Sequence, residues 1–284
     1  MGPIKPVILA RSDSACQIPL WKRDLAAAIT RPEPLVDMLG LPRRLLPAAR
    51  EASQSFRLLV PRGFAALMEH GNPDDPLLRQ VLPLGHELQA QPGFQRDPVG
   101  DAVALRAPGL LQKYRGRALL IATGACAVHC RYCFRRHYPY AEHGGLHDRT
   151  TGAIAQLAAS PDIEEVILSG GDPLMLDDHL LADLIAKLDA VPHLKRLRVH
   201  TRLPIVLPSR VTPELCGALA ASRLGSVVVV HANHPRELST EVGAALDRLR
   251  QSSIILLNQS VLLAGVNDRV AALAELSEGL FAAG

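Results

Sequence analysis

No run of apolar residues in this 284-residue chain is long enough to cross a bilayer. Its start, MGPIKPVILARSDS, carries neither the apolar segment nor the cleavage site of a secretory signal. A dominant charge is missing too. With 31 Lys and Arg against 28 Asp and Glu, the net charge of +3 gives no electrostatic footprint for nucleic acid. Lysine is scarce, at Lys5, Lys22, Lys113, Lys187 and Lys195 only. Cysteine is scarce as well, with five residues, three of them clustered at ligand spacing and Cys16 and Cys216 standing alone. These absences predict a soluble cytoplasmic protein with no membrane or nucleic-acid partner. What is abundant is apolar side chain, at 48%, enough for one large core or two modest ones.

Two kinds of sequence follow one another. Residues 1–117 are rich in proline and read as a helical, irregular N-terminal region, with short helices in PLVDMLGL, RRLLPAAREAS and PRGFAALMEHG. Residues 118–284 alternate apolar strand segments with amphipathic helices. ALLIAT, EEVILSG, RLRVHT, SVVVVHA and SIILLNQS are the strands, and the helices include LDDHLLADLIAKLDAV, TPELCGALAAS and TEVGAALDRLRQ. This alternation predicts an α/β fold with a parallel sheet and right-handed crossovers. A doubly wound sheet and a β/α barrel both fit the count. Each strand turns polar at its C-terminal end, at Ser169–Gly170–Gly171–Asp172, His200–Thr201–Arg202, His231–Ala232–Asn233 and Asn258–Gln259–Ser260. Such ends converge on one face in a barrel, which favours the barrel and a shared site.

The first strand leads into ACAVHCRYC, where Cys126, Cys130 and Cys133 form C-x3-C-x2-C. Three thiolates can hold an iron–sulfur cubane and leave one iron open to a small molecule. A zinc site completed by His129 or His137 is the competing reading, but no second C-x2-C knuckle exists to build it. Tyr132 stands beside the cysteines, where it could shield a cluster or pack on a nucleoside, or be a plain loop aromatic.

C-x3-C-x2-C after the first strand of a β/α barrel resembles the radical S-adenosylmethionine (SAM) superfamily, and SGGDP at 169–173 resembles its glycine-rich turn after the second strand. The glycines would let backbone groups approach the methionyl ammonium closely. YRGRALLIAT, CRYCFRRH, HTRLPIVLPSRVTPEL, HANHPREL and NQSVLLAGVND together resemble the lysine 2,3-aminomutase family. Phe134 within the cysteine motif and the short N-terminal region look most like the branch that modifies elongation factor P. The resemblance implies a partial (β/α)6-type radical SAM barrel lacking its last strand. It implies that Cys126, Cys130 and Cys133 hold a 4Fe–4S cluster, and that Gly170, Gly171, Asp172, His231 and Gln259 line the SAM site. Arg135 would hold the substrate carboxylate, a task suited to a planar bidentate donor. Tyr114 and Arg117 would lie near the phosphate of pyridoxal 5′-phosphate. The implied reaction is a radical isomerisation of L-α-lysine to β-lysine. An electron donor of the flavodoxin or ferredoxin type would feed it, and a separate ligase would attach the product to elongation factor P.

Departures from the family pattern open other readings. No lysine sits where the family's pyridoxal-binding lysine is expected, so no catalytic residue is assigned; Lys113 reads as a solvated surface lysine. The chain reads as C-terminally truncated, which predicts an unpaired sheet edge after SIILLNQS. The alternatives are an aminomutase for free lysine or glutamate, an inactive fragment that binds only cluster and SAM, and a non-catalytic zinc or cluster protein.

Overall fold

The structure, a computed structural model, describes residues 18–89 and 91–284, so Lys5 and Cys16 lie outside the described residues. Its frame is one seven-stranded sheet: β1 (Leu105–Ala107), β2 (Leu110–Tyr114), β3 (Arg117–Thr123), β4 (Glu165–Gly170), β5 (Arg196–Thr201), β6 (Gly225–Val230) and β7 (Ile255–Asn258). The strands lie side by side in sequence order. β3 to β7 pair parallel, and the first two pairings are antiparallel.

That order separates the two candidate architectures. A doubly wound sheet reverses its strand order midway. Here each new strand adds to the same edge, so right-handed crossovers carry every connecting helix to the same face. The helices Leu146–Ala158, Asp178–Asp189, Pro213–Ala220 and Thr240–Gln251 make these crossovers, and Val270–Ala282 follows β7. The result is the expected partial β/α barrel. Among the described residues β7 pairs only with β6, and Ile255 and Leu257 on it are 57% and 45% exposed.

Side chains alternate across a strand, and the two faces differ sharply. Ala118, Leu120, Val166, Leu168, Leu197, Val199, Val228 and Val230 are all buried against the helices in one continuous core. The opposite, inner face carries Arg117, Leu119 and Ile121 on β3, with Glu165, Ile167 and Ser169 as their partners on β4. It continues through Arg196, Arg198 and His200 to Val227 and Val229. Along the inner face the N-terminal row, its floor, is charged (Arg117, Glu165, Arg196), the middle row is apolar except for Arg198, and the C-terminal row, at the rim, sets Ser169 and His200 among Ile121 and Val229.

The N-terminal region needs one correction. Residues 105–114, read as part of a helical region, form an antiparallel hairpin that extends the sheet through β2–β3. Gly109 makes its turn with φ +73°, a conformation glycine adopts without strain. Among the described residues before 89 the region carries the expected short helices, for example Pro32–Met38 and Leu46–Ser55. Its core is not separate: Trp21, Leu35, Leu58, Phe64 and Leu77 belong to the same buried cluster as the barrel residues.

Candidate active site

The cysteine loop leaves β3 with no regular structure of its own, so its backbone groups must find partners elsewhere. Two neighbours supply them. On one side Gly171 N–H donates to the Thr123 carbonyl at 2.7 Å and Asp172 N–H to Ala125 at 2.8 Å. On the other, His129 N–H donates to Leu59 and Arg131 N–H to Gln80, at 2.9 and 2.8 Å. Arg131 and Arg136 both grip Glu87 of the N-terminal region, at 2.5 and 2.8 Å. Buried Ala127 and Val128 pin the middle of the loop.

This geometry gives the two glycines a reason besides the one the sequence suggested. A Cβ on Gly171 would lie 2.3 Å from the Ala125 carbonyl oxygen. One on Gly170, whose φ is +120°, would lie 2.5 Å from that of Thr123. The absent side chains make room for the cysteine loop itself. Asp172 also turns inward. Its carboxylate accepts from Thr201 Oγ1, Arg202 N and Leu174 N at 2.7, 2.7 and 3.1 Å. Burial pushes its pKa up to about 6 despite these donors. Asp172 therefore ties the ends of β4 and β5 together beneath the loop.

The three thiols are half-buried and unpaired. Burial pushes the Cys126 thiol well up, helped by the negative charge of Asp172, and burial raises Cys133 too. Among the described residues no three His, Cys, Asp or Glu side chains converge closely enough to share one metal ion. The zinc alternative fails on that geometry and on His129, whose Nδ1 lies 2.9 Å from the Arg57 carbonyl while its ring stacks on Phe56. His137 is exposed. A cubane makes no such demand, since each thiolate takes a different iron; three soft, half-buried sulfurs on one irregular loop fit it.

Behind the thiols lies a buried polar network that sequence reasoning missed. Arg202 is 5% exposed. Its Nη1 donates to Cys130 Sγ at 2.8 Å and to the Tyr132 hydroxyl at 2.5 Å, and its Nη2 donates to Gln80 at 2.7 Å. Asn233 Nδ2 donates to the same Tyr132 oxygen and to Gln80. Buried Glu237 accepts from Gln80 at 2.7 Å and faces Arg202 at 3.5 Å. Tyr132 is thus a fixed member of this network.

Along the rim, His200 Nδ1 lies 3.3 Å from His231 Nε2, and Gln259 hydrogen-bonds His200. Burial depresses both histidines, to about 4 and about 3, so both are neutral at physiological pH. Arg135 is buried. Its Nε donates to Asp101 at 2.7 Å and its Nη1 to Ser169 at 3.1 Å, leaving Nη2 for a ligand. A cavity of about 230 Å³ opens beside it, lined by Asp101, Leu105, Phe134, Tyr138 and His143 among others. The Tyr138 hydroxyl and His143 Nε2 have no partner among the described residues.

Tyr114 and Arg117 are not brought to the rim. They face each other across the β2–β3 turn, with the guanidinium 5.7 Å from the ring centre. The six steps along β3 from Arg117 to Thr123 place them about 20 Å below the cysteine loop. Arg117 nevertheless shares the inner face with Ser169, and around it stand Arg196, Arg198 and Glu165, the last bonded to both arginines at 3.0 and 2.9 Å. Lys113 is exposed, as read, but it is tied down: it donates to Val99 O and lies 2.6 Å from Asp101, the partner of Arg135. Lys22, Lys187 and Lys195 also sit in ion pairs. Cys216 is 5% exposed, a core residue as expected.

Residues 120–276 match the radical SAM superfamily. Over 265 residues, 93% of the chain, the sequence is 49% identical to an L-lysine 2,3-aminomutase of Escherichia coli, covering 77% of that protein. It is 47% identical over 264 residues to that of Haemophilus influenzae, covering 78% of it. It is 33% identical over 258 residues to that of Clostridium subterminale, covering 62% of it.

Proposed function

Because the chain belongs to the lysine 2,3-aminomutase family of the radical SAM superfamily, and so is a radical SAM isomerase that uses a 4Fe–4S cluster and SAM, we propose that it converts L-α-lysine to β-lysine with pyridoxal 5′-phosphate as a further cofactor. The observation that carries this reading is the convergence of the cysteine loop, the SGGD turn, the His200–His231–Gln259 group and Arg135 on one rim. That rim opens onto an inner face whose far end is basic.

When bound, these groups supply the electron, the hydrogen-abstracting radical and a π-system that stabilises the migrating nitrogen. The protein supplies placement. Cys126, Cys130 and Cys133 hold the cluster. Their loop is anchored to the SGGD turn and the N-terminal region, so cluster and SAM are fixed relative to the barrel. His231 and Gln259 line the SAM site as neutral hydrogen-bonding groups. Arg135, oriented by Asp101 and Ser169, offers Nη2 to the substrate carboxylate. Tyr114, Arg117 and Arg198 would hold the phosphate of pyridoxal 5′-phosphate.

Anaerobic reconstitution with iron and sulfide, then dithionite, SAM, pyridoxal phosphate and lysine, tests the reading. The expected result is SAM-dependent formation of β-lysine. SAM cleavage with turnover of glutamate but not lysine would select the other aminomutase reading, and cleavage with no amino-acid turnover the binding-only one.

Phe134 within CRYCFRRH supports the further reading that the β-lysine is made for elongation factor P and passed to a separate ligase, with a flavodoxin or ferredoxin as donor. Coupling the reaction to such a ligase should label elongation factor P; no labelling from enzymatically made β-lysine would reject that destination.

A further inference from the structure

A buried ion pair is weak evidence for stability, since apolar residues of similar volume do as well or better. Arg202 and Glu237 form such a pair, 5% and 0% exposed, and their arrangement has a direction. The guanidinium lies between the Glu237 carboxylate at 3.5 Å and Cys130 Sγ at 2.8 Å. The positive end of the pair thus faces the sulfur. Three features hold it there: Asp172 accepts the Arg202 backbone N–H, Gln80 bridges Arg202 and Glu237, and the guanidinium sits over Phe64 and Tyr132, 5.5 and 5.4 Å from their ring centres. Among the described residues, neither Cys126 nor Cys133 receives a side-chain donor. The arrangement singles out one of the three sulfurs.

We propose that Arg202 is a positioning residue that tunes the cluster's reduction potential through Cys130, its N–H donor and positive charge stabilising the electron added to the cluster. This rests on the assignment of Cys130 as a cluster ligand. Hydrogen bonds to cluster sulfurs and the charge beside them are the protein's levers on potential. Both act here in one direction, because the reduced cluster carries one more negative charge and gains more from the donor. The couple becomes easier to reduce, and the reductant that must start each turnover can be a weaker one.

The test is a potentiometric titration of the reconstituted cluster, followed by electron paramagnetic resonance in the absence of SAM. Arg202→Lys keeps the charge and loses the fixed fork. Arg202→Gln/Glu237→Gln removes both charges and leaves no buried ion unpaired. In each the midpoint should fall until the reduced-to-oxidised ratio at a fixed potential is about tenfold lower, about 59 mV for a one-electron couple. An unchanged or raised midpoint in the variants that load iron overturns the proposal. Failure of the parent protein to assemble a cluster would instead count against the assignment of the cysteines.

Discussion

The two ends of the inner face treat charge in opposite ways. At the rim, burial works against charge: His200 and His231 are depressed to about 4 and about 3 and are neutral, Asp172 is raised to about 6, and the Cys126 and Cys133 thiols are raised. At the floor, burial also opposes the Glu165 carboxylate, but hydrogen bonds from Arg198 and Arg196 outweigh it and keep its pKa below the usual range. Neutral histidines suit a rim proposed to accept a charged cluster and a sulfonium. Standing charges suit a floor proposed to meet a phosphate. The sheet thus carries two binding environments that differ in solvation more than in residue type.

The largest effect should come from the rim. Cys126→Ala should remove cluster iron and reduce dithionite-dependent SAM cleavage to background, measured by iron content and 5′-deoxyadenosine; retention of either would break the contrast at once. Next is Gly171→Ala, whose Cβ would meet the Ala125 carbonyl at 2.3 Å. It should cost about 1–3 kcal/mol by overpacking. That is a fall in melting temperature of about 2–4 °C per kcal/mol for a chain of this size. The rim also sets a pH response. Below 6.5 an unfolded histidine takes up a proton that His200 and His231 refuse when folded, so the pair makes stability fall as pH drops from about 6.5 to about 4, while Asp172, raised to about 6, protonates in the folded state and offsets part of that loss. The slope should approach about 1.4 kcal/mol per pH unit for each histidine, and His231→Gln should flatten it in thermal melts. The floor should respond least. Arg198→Gln leaves Glu165 bonded to Arg196 and should cost about 0.5–1 kcal/mol, with cluster content unchanged but pyridoxal phosphate bound more weakly.

The fold was legible wherever one element carried its own pattern. The five strand segments and the helices within LDDHLLADLIAKLDAV, TPELCGALAAS and TEVGAALDRLRQ reappear within a residue or two, because alternation and polar strand ends are local signals. The β1–β2 hairpin escaped because Leu105–Ala107 is only three residues long and Gly109 marked a turn without announcing a strand on either side. In the site, the cysteines stand out through spacing alone. Arg202, Gln80 and Glu237 could not, since Arg202 meets Gln80 across 122 positions and Gln80 meets Glu237 across 157. No periodicity encodes such pairings; only the polar ends at Arg202 and Asn233 hinted that those strands led somewhere. The glycines of SGGD were legible as residues but only in part of their purpose, because the atoms that fill their missing side chains come from the other loop.

The cysteine loop is clamped from both directions along the chain, and this orders its history during synthesis. Leu59, Gln80 and Glu87 precede it, so a landing surface leaves the ribosome first. The SGGD turn, Arg202 and Glu237 follow, the last about a hundred residues behind Cys130. At about 5–20 residues per second, the three thiols of a nascent chain spend about 5–20 seconds without the network that encloses them. Oxygen and oxidants have their easiest access to this protein in that interval, before any cluster is loaded.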